Sequence, residues 1–168
     1  MKPPTRALHE LVGRWVGDGV GFFPTIDDFS YRETLVIEAA HQDAALLRYS
    51  QTTWKQVGDI EAPSHVETGF IGITEEGLVE MFNAQGVDRI AALSGSLTTL
   101  PDTTGSGEAG PQSLVMHLTS DLLAKDDRMV SSWRTWTLTE DTLSYEMGMR
   151  TTAVSEEIPH LRATLHRT

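Results

Sequence analysis

The sequence predicts an all-β protein with a short helical start, and three observations lead there. First, from Gly13 onward, segments rich in β-branched and aromatic residues follow one another, separated by short links bearing Gly, Asp or Pro. Second, helical periodicity is confined to "TRALHELVG", residues 5–13. Third, "GRWVGDGVGFF" puts Gly13, Trp15, Gly17, Gly19 and Gly21 on one parity, the two-residue period of a strand. About ten strands result from this reading. Such a meander must bury one sheet face and manage its edges, which a sandwich and an up-and-down barrel both do. Small barrels of this kind enclose ligand cavities.

The helical segment carries Leu8, Leu11 and Val12 on one side, with Thr5 as N-cap and residues 1–4 loose. One or two turns are unstable alone, so the segment is expected to lie on the main body. Glycine in a strand interior is a cost, so the stripe from Gly13 to Gly21 has a reason. It gives curvature at a barrel closure with Trp15 plugging one end, or it leaves room for a ligand. "FFPTIDDF" then leaves the strand, with Pro24 restraining a turn and Asp27 or Asp28 bonding nearby amides. Strands follow in "YRETLVIEA" (31–39) and "AALLRYSQTTW" (44–54). "SHVETGFIGIT", "EEG" and "LVEMFNA" read as a hairpin with a glycine-bearing turn. Residues 86–100 hold one strand and the start of another, and 101–112, "PDTTGSGEAGPQ", form the clearest loop. "SLVMHLTS", "MVSSWRTWTLT", "TLSYEMGMRTTA" and "HLRATLHR" complete the series, with "TEDT" as a tight connection.

At 168 residues the chain fits one domain, taken as residues 5–168. Its net charge of −11, with no basic cluster, argues against nucleic acid as a partner. The absence of cysteine excludes disulfides, thiolate catalysis and thiolate-held haem or iron–sulfur clusters. No apolar run reaches membrane-spanning length, and "MKPPTRALHEL" lacks a signal-peptide core, so a cytoplasmic protein without a membrane partner is expected.

Six histidines occur, none with zinc-like spacing. His160 follows Pro159 and opens the last strand. A neutral imidazole at a cavity wall suits haem iron, and a hydrogen-bonded strand-end histidine is the plainer reading. His41 sits in the polar turn "AHQDAA" and reads by itself as a surface residue. His65 shares a strand face with Glu67, which makes either a general-base pair or, the reading favoured here, a solvated face. His117, inside "LVMHL", points to the core or to a cavity. No G-x-S-x-G elbow, phosphate loop or dinucleotide fingerprint is present, and no carboxylate pair is singled out for glycosidase chemistry. Met147 and Met149 share a face with Tyr145, and Trp136 with Arg134 and Leu138; core packing explains them, and a pocket for a large flat ligand would use them too.

Taken together, "GRWVGDG" (13–19), "FPTIDDFSYRE" (23–33), "LLRYSQTTW" (46–54), "PSHVETGFI" (63–71), "TLSYEMGMRTTAV" and "PHLRATLHR" resemble, in order and spacing, the conserved blocks of the nitrobindin family. The first fits G-x-W-x-G-x-G, and the second carries F-x-Y-x-E. The resemblance implies a roughly ten-stranded antiparallel up-and-down β-barrel with a short N-terminal helix, related in architecture to fatty-acid-binding proteins. It implies haem b as cofactor, with His160 as proximal iron ligand and catalytic residue, and His41 and His65 close to the haem. It further implies conversion of peroxynitrite to nitrate at ferric haem, with nitric oxide as a ligand of the ferrous form. A homodimer is compatible with it. Two other readings stand beside this one: a non-enzymatic carrier of a fatty acid or other apolar ligand, and a barrel with a degenerate haem site.

Overall fold

A computed structural model describes residues 3–41, 45–101 and 112–168, with side chains from residue 6 onward. A helix, α1 (Pro3–His9), precedes ten strands. These are β1 (Gly13–Phe23), β2 (Ile26–Ala39), β3 (Leu46–Val57), β4 (Ile60–Ile73), β5 (Val79–Gln85), β6 (Arg89–Leu100), β7 (Ser113–Ala124), β8 (Met129–Thr139), β9 (Thr142–Thr151) and β10 (Ile158–Arg167). Each pairs antiparallel with its sequence neighbours, and β10 pairs back onto β1, so the sheet closes. Closure removes both free edges. Of the two architectures open to a ten-strand meander, the chain adopts the barrel.

Several local expectations change. The helix begins at Pro3, so Thr5 lies within it rather than at its N-cap. Proline suits a first helical turn, whose amides have no partner in any case. Strand β2 begins at Ile26, so Asp27 and Asp28 belong to it, and the β1–β2 connection is only Pro24–Thr25. Residues 89–100 form one strand, not two. The β4–β5 hairpin is as expected, its turn held by Gly77 at φ +90° and a bond from its amide to the Thr74 carbonyl. The "TEDT" connection is the β8–β9 turn, with Glu140 at φ +52°. The expected loop at 101–112 lies mostly outside the described residues.

One end of the barrel is closed. Leu8 and Leu11 are buried against Trp15, whose indole N–H donates to the Leu11 carbonyl at 3.0 Å. Burying two leucines contributes ~4 kcal/mol, enough to hold a helix too short to persist alone. The inward parity of β1 is Trp15, Gly17, Gly19, Gly21 and Phe23, as the alternation predicts. The room left by the glycines is filled by protein. A Cβ on Gly19 would lie 2.2 Å from the Tyr31 ring, and one on Gly21 would lie 2.1 Å from the Phe29 ring. The stripe on β1 therefore lets the two aromatic rings of β2 lie flat on the inner wall.

Gly19→Ala is expected to push Tyr31 off the wall and lower the urea midpoint, a loss of about 1–3 kcal/mol. An unchanged midpoint would show that the close approach at Gly19 carries no weight.

Candidate functional site

The turns after β1, β3, β5, β7 and β9 ring the end of the barrel opposite α1. Below them lies a cavity of about 300 Å³. Its walls include Phe29, Met129, Met147, Met149 and Leu161, and its polar groups include Tyr31, Lys55, His65, Arg134, Tyr145 and His160.

His160 reaches this cavity against the strand period. Inward positions on β10 are Leu161, Ala163 and Leu165, and His160 has the parity of the outward His166. A β-bulge reverses it: Pro159 pairs with Gly148 and Leu161 with Met147, leaving His160 as the extra residue. Pro159 is the sequence signal for this, since proline within a sheet favours bulges. The β1 ladder is irregular at the facing point, between Gly21 and Phe23. There the Phe22 carbonyl meets His160 Nδ1 at 2.9 Å. A carbonyl only accepts, so Nδ1 carries the proton and Nε2 keeps its lone pair. Phe23 packs edge-on against the ring at 5.5 Å. Burial pushes the His160 pKa down, and the cations Arg89 and Lys55 push the same way, against the Phe22 bond. The imidazole is thus neutral, tautomerically fixed and half-buried in the wall.

A second proline-associated bulge shapes β4. Trp54 pairs with Pro63 and Thr53 with His65, so Ser64 is extra and lines the cavity. His65 and Glu67 face inward, which overturns the solvated-face reading of that pair: Glu67 is 1% exposed. Arg134 reaches it from β8 with Nη1 at 2.5 Å and Nη2 at 2.8 Å, a two-pronged ion pair, and Tyr49 donates its hydroxyl to the same carboxylate. His65 Nε2 lies 3.5 Å away at the cavity side. Burial alone would raise the Glu67 pKa; the Arg134 guanidinium, helped by His65 and Tyr49, overrides burial and holds it at about 2.

Glu33 is buried without a cation. Its Oε2 shares a hydrogen bond with the Tyr145 hydroxyl at 2.5 Å, and Tyr145 lies 2.7 Å from the Tyr31 hydroxyl. Burial pushes this carboxyl up to about 7, against the Tyr145 and Gln51 hydrogen bonds. The two acids therefore respond oppositely to pH. The stability that Glu67 contributes is present above the ordinary carboxylate range and lost as pH falls toward 2. Glu33 keeps its proton, so it costs stability as pH rises from about 4.5 to about 7.

Of the three histidines expected at a haem, the structure brings His160 and His65 to one cavity. His41 is not with them: it is exposed in the β2–β3 connection, at the α1 end of the barrel, and does not line the cavity. His117 points outward, with Nδ1 2.8 Å from the Thr135 hydroxyl. Sequence reading missed Glu33, Tyr49, Gln51 and the role of Arg134. The available signal was parity: each shares a strand face with core residues, such as Leu35, Leu47, Trp136 and Leu138. A polar residue on that face is buried and needs a partner.

These features define a ligand-binding barrel: a closed antiparallel wall, one plugged end, and one cavity holding a neutral imidazole with a free nitrogen. The chain belongs to the THAP4-like, heme-binding beta-barrel domain family, whose pattern matches residues 5–167. It is 33% identical over 175 residues to Peroxynitrite isomerase 1 of Mycobacterium tuberculosis (strain ATCC 25618 / H37Rv), covering 99% of this chain and 96% of the relative. It is 30% identical over 165 residues to Peroxynitrite isomerase Rv2717c of Arabidopsis thaliana, covering 98% and 89%. The crystal structure of Rv2717c from M. tuberculosis superposes with a TM-score of 0.81 at 28% identity, covering 100% of this chain and 99% of that one.

Arg134→Met is expected to lower stability by about 3–5 kcal/mol, because it strands the Glu67 charge. Adding Glu67→Gln should recover most of the loss in urea titrations. A double variant as unstable as the single one would show that packing, not charge, sets the cost.

Proposed function

We propose that the protein binds haem b in the cavity and converts peroxynitrite to nitrate. The observation that carries this reading is His160: a buried, neutral imidazole whose Nδ1 is tied to the Phe22 carbonyl, leaving Nε2 to ligate. Among the described residues, no cluster of three His, Asp or Glu side chains is placed to hold a metal ion. One histidine suits a metal that brings its other ligands with it, as haem iron does. Met129, Met147, Met149, Phe29 and Leu161 give a porphyrin face adaptable apolar contacts.

Haem, when bound, supplies a ferric centre at which peroxynitrite rearranges to nitrate. The rest is the work of the chain. His160 would hold the metal through Nε2, its own ring oriented by the bond to the Phe22 carbonyl. Lys55 and Arg89 put positive charge along a cavity inside a protein of net charge −11. That favours entry of a small anion. Because peroxynitrite and nitrate are isomers of equal charge, no reductant or net proton is required. His41 takes no part, given its position at the other end.

The fatty-acid carrier reading fits less well. A carboxylate reaching the interior would meet the ionised Glu67, and the buried guanidinium of Arg134 is already bound by Glu67.

Haem titration should give a saturable Soret band at one equivalent, and His160→Ala should weaken binding by at least tenfold while far-UV circular dichroism stays unchanged. Rapid mixing of the ferric protein with peroxynitrite should speed its decay and give nitrate in place of nitrite. Binding unaffected by His160→Ala would remove the proximal assignment, and unaltered decay would remove the isomerase reading.

A further inference from the structure

The F-x-Y-x-E run places three inward side chains on β2, Phe29, Tyr31 and Glu33. Phe29 and Tyr31 line the cavity, and Glu33 lies behind them. Glu33 is fully buried, pairs with Gly17 on β1 and Thr53 on β3, and leaves Oε1 without a hydrogen-bond partner. The titratable groups around it are Tyr31 on its own strand, His65 and Glu67 from β4, and Tyr145 from β9. Arg134 of β8 and Tyr49 of β3 are engaged by Glu67. The inward residues of β1 and β10 nearby, Trp15, Gly17, Gly19, Ala163 and Leu165, carry no titratable group.

A bare carboxylate oxygen in this setting is costly, whereas a bare carbonyl oxygen of the neutral acid costs far less. The geometry then gives the proton a position, on Oε2 and facing the Tyr145 oxygen. Tyr145 also receives the Gln51 amide at 3.3 Å, so with Glu33 protonated both its acceptor sites are filled and its own hydrogen points to Tyr31. Tyr31 Oη–H is then free to donate into the cavity. With Glu33 ionised the chain runs the other way: Tyr31 donates to Tyr145, Tyr145 donates to Glu33, and the cavity sees only lone pairs on Tyr31.

We propose that Tyr31 is an anion-binding residue of the cavity and Glu33 its positioning residue, the proton on Glu33 setting whether Tyr31 offers a small monoanion a hydrogen or a lone pair. One proton is held for each anion bound, and no covalent bond changes. The anion class is that of peroxynitrite and nitrate, so the inference extends the proposed function. It concerns the protein wall and can be read without haem.

The test is an infrared pH titration of the haem-free protein with and without nitrate. The wild type should show a buried carboxylic-acid carbonyl band that fades with a midpoint near 7 and is absent in Glu33→Gln. Nitrate at ten times its dissociation constant should raise that midpoint by about one pH unit. In Tyr31→Phe the band should remain and its midpoint should no longer respond to nitrate. A band unaltered by Glu33→Gln, no band at pH 6, or a midpoint indifferent to nitrate in the wild type would each overturn the proposal. Failure here leaves the haem titration of His160 untouched, and failure of haem binding leaves this readout intact.

Discussion

The barrel closes where β1 meets β10, and the hydrogen bond between the Phe22 carbonyl and His160 Nδ1 sits on that seam. Both strands are irregular at this point, β1 against β2 and β10 against β9. A regular β10 would turn His160 to solvent. The bulge turns it inward, and the free carbonyl created by the matching irregularity fixes its tautomer. Closure of the fold and the fixing of an imidazole with its Nε2 lone pair toward the cavity side of the seam are therefore one structural event. The glycine stripe supports it from below, since flat-lying Tyr31 and Phe29 leave the cavity open between the seam and the far wall.

The interior is more polar than a lipid-carrying barrel requires. Two carboxyl groups lie inside, and they are treated differently. Glu67 is ionised and compensated by Arg134, whereas Glu33 has hydroxyl and amide partners but no paired cation, and burial lets it hold its proton up to about pH 7. Environments that push two like groups apart in pKa mark sites that hold charge in one place and a proton in another. The Glu67 pair braces β4 against β8 across the barrel. The Glu33 chain leads from the interior to the cavity surface at Tyr31.

Much of this fold was legible in the sequence. Alternation placed Trp15 and the glycines on the inner face, and the short links gave the strand number. The resemblance, carried by blocks from "GRWVGDG" to "PHLRATLHR", narrowed sandwich or barrel to a barrel and pointed to His160. Parity alone would have sent His160 outward with His166, because a bulge inserts a residue that periodicity does not register. His65 and Glu67 were misjudged for another reason. Their polar character suggested solvent, while the partner that makes burial tolerable, Arg134, is 67 residues away and invisible to local pattern. The resemblance set His41 beside the haem, but the β2–β3 connection opens at the α1 end, opposite the cavity, which is the exposed position its residues alone suggested. The glycines were correctly read as making room, but the occupants are Tyr31 and Phe29.

The central claim is that neutral His160, and no other side chain, holds the haem iron through Nε2. Resonance Raman spectroscopy of the ferrous, haem-loaded protein reads that bond directly. The account predicts an iron–histidine stretch in the wild type that is missing from His160→Gly and returns when free imidazole is added. The same stretch persisting in His160→Gly without imidazole would contradict it.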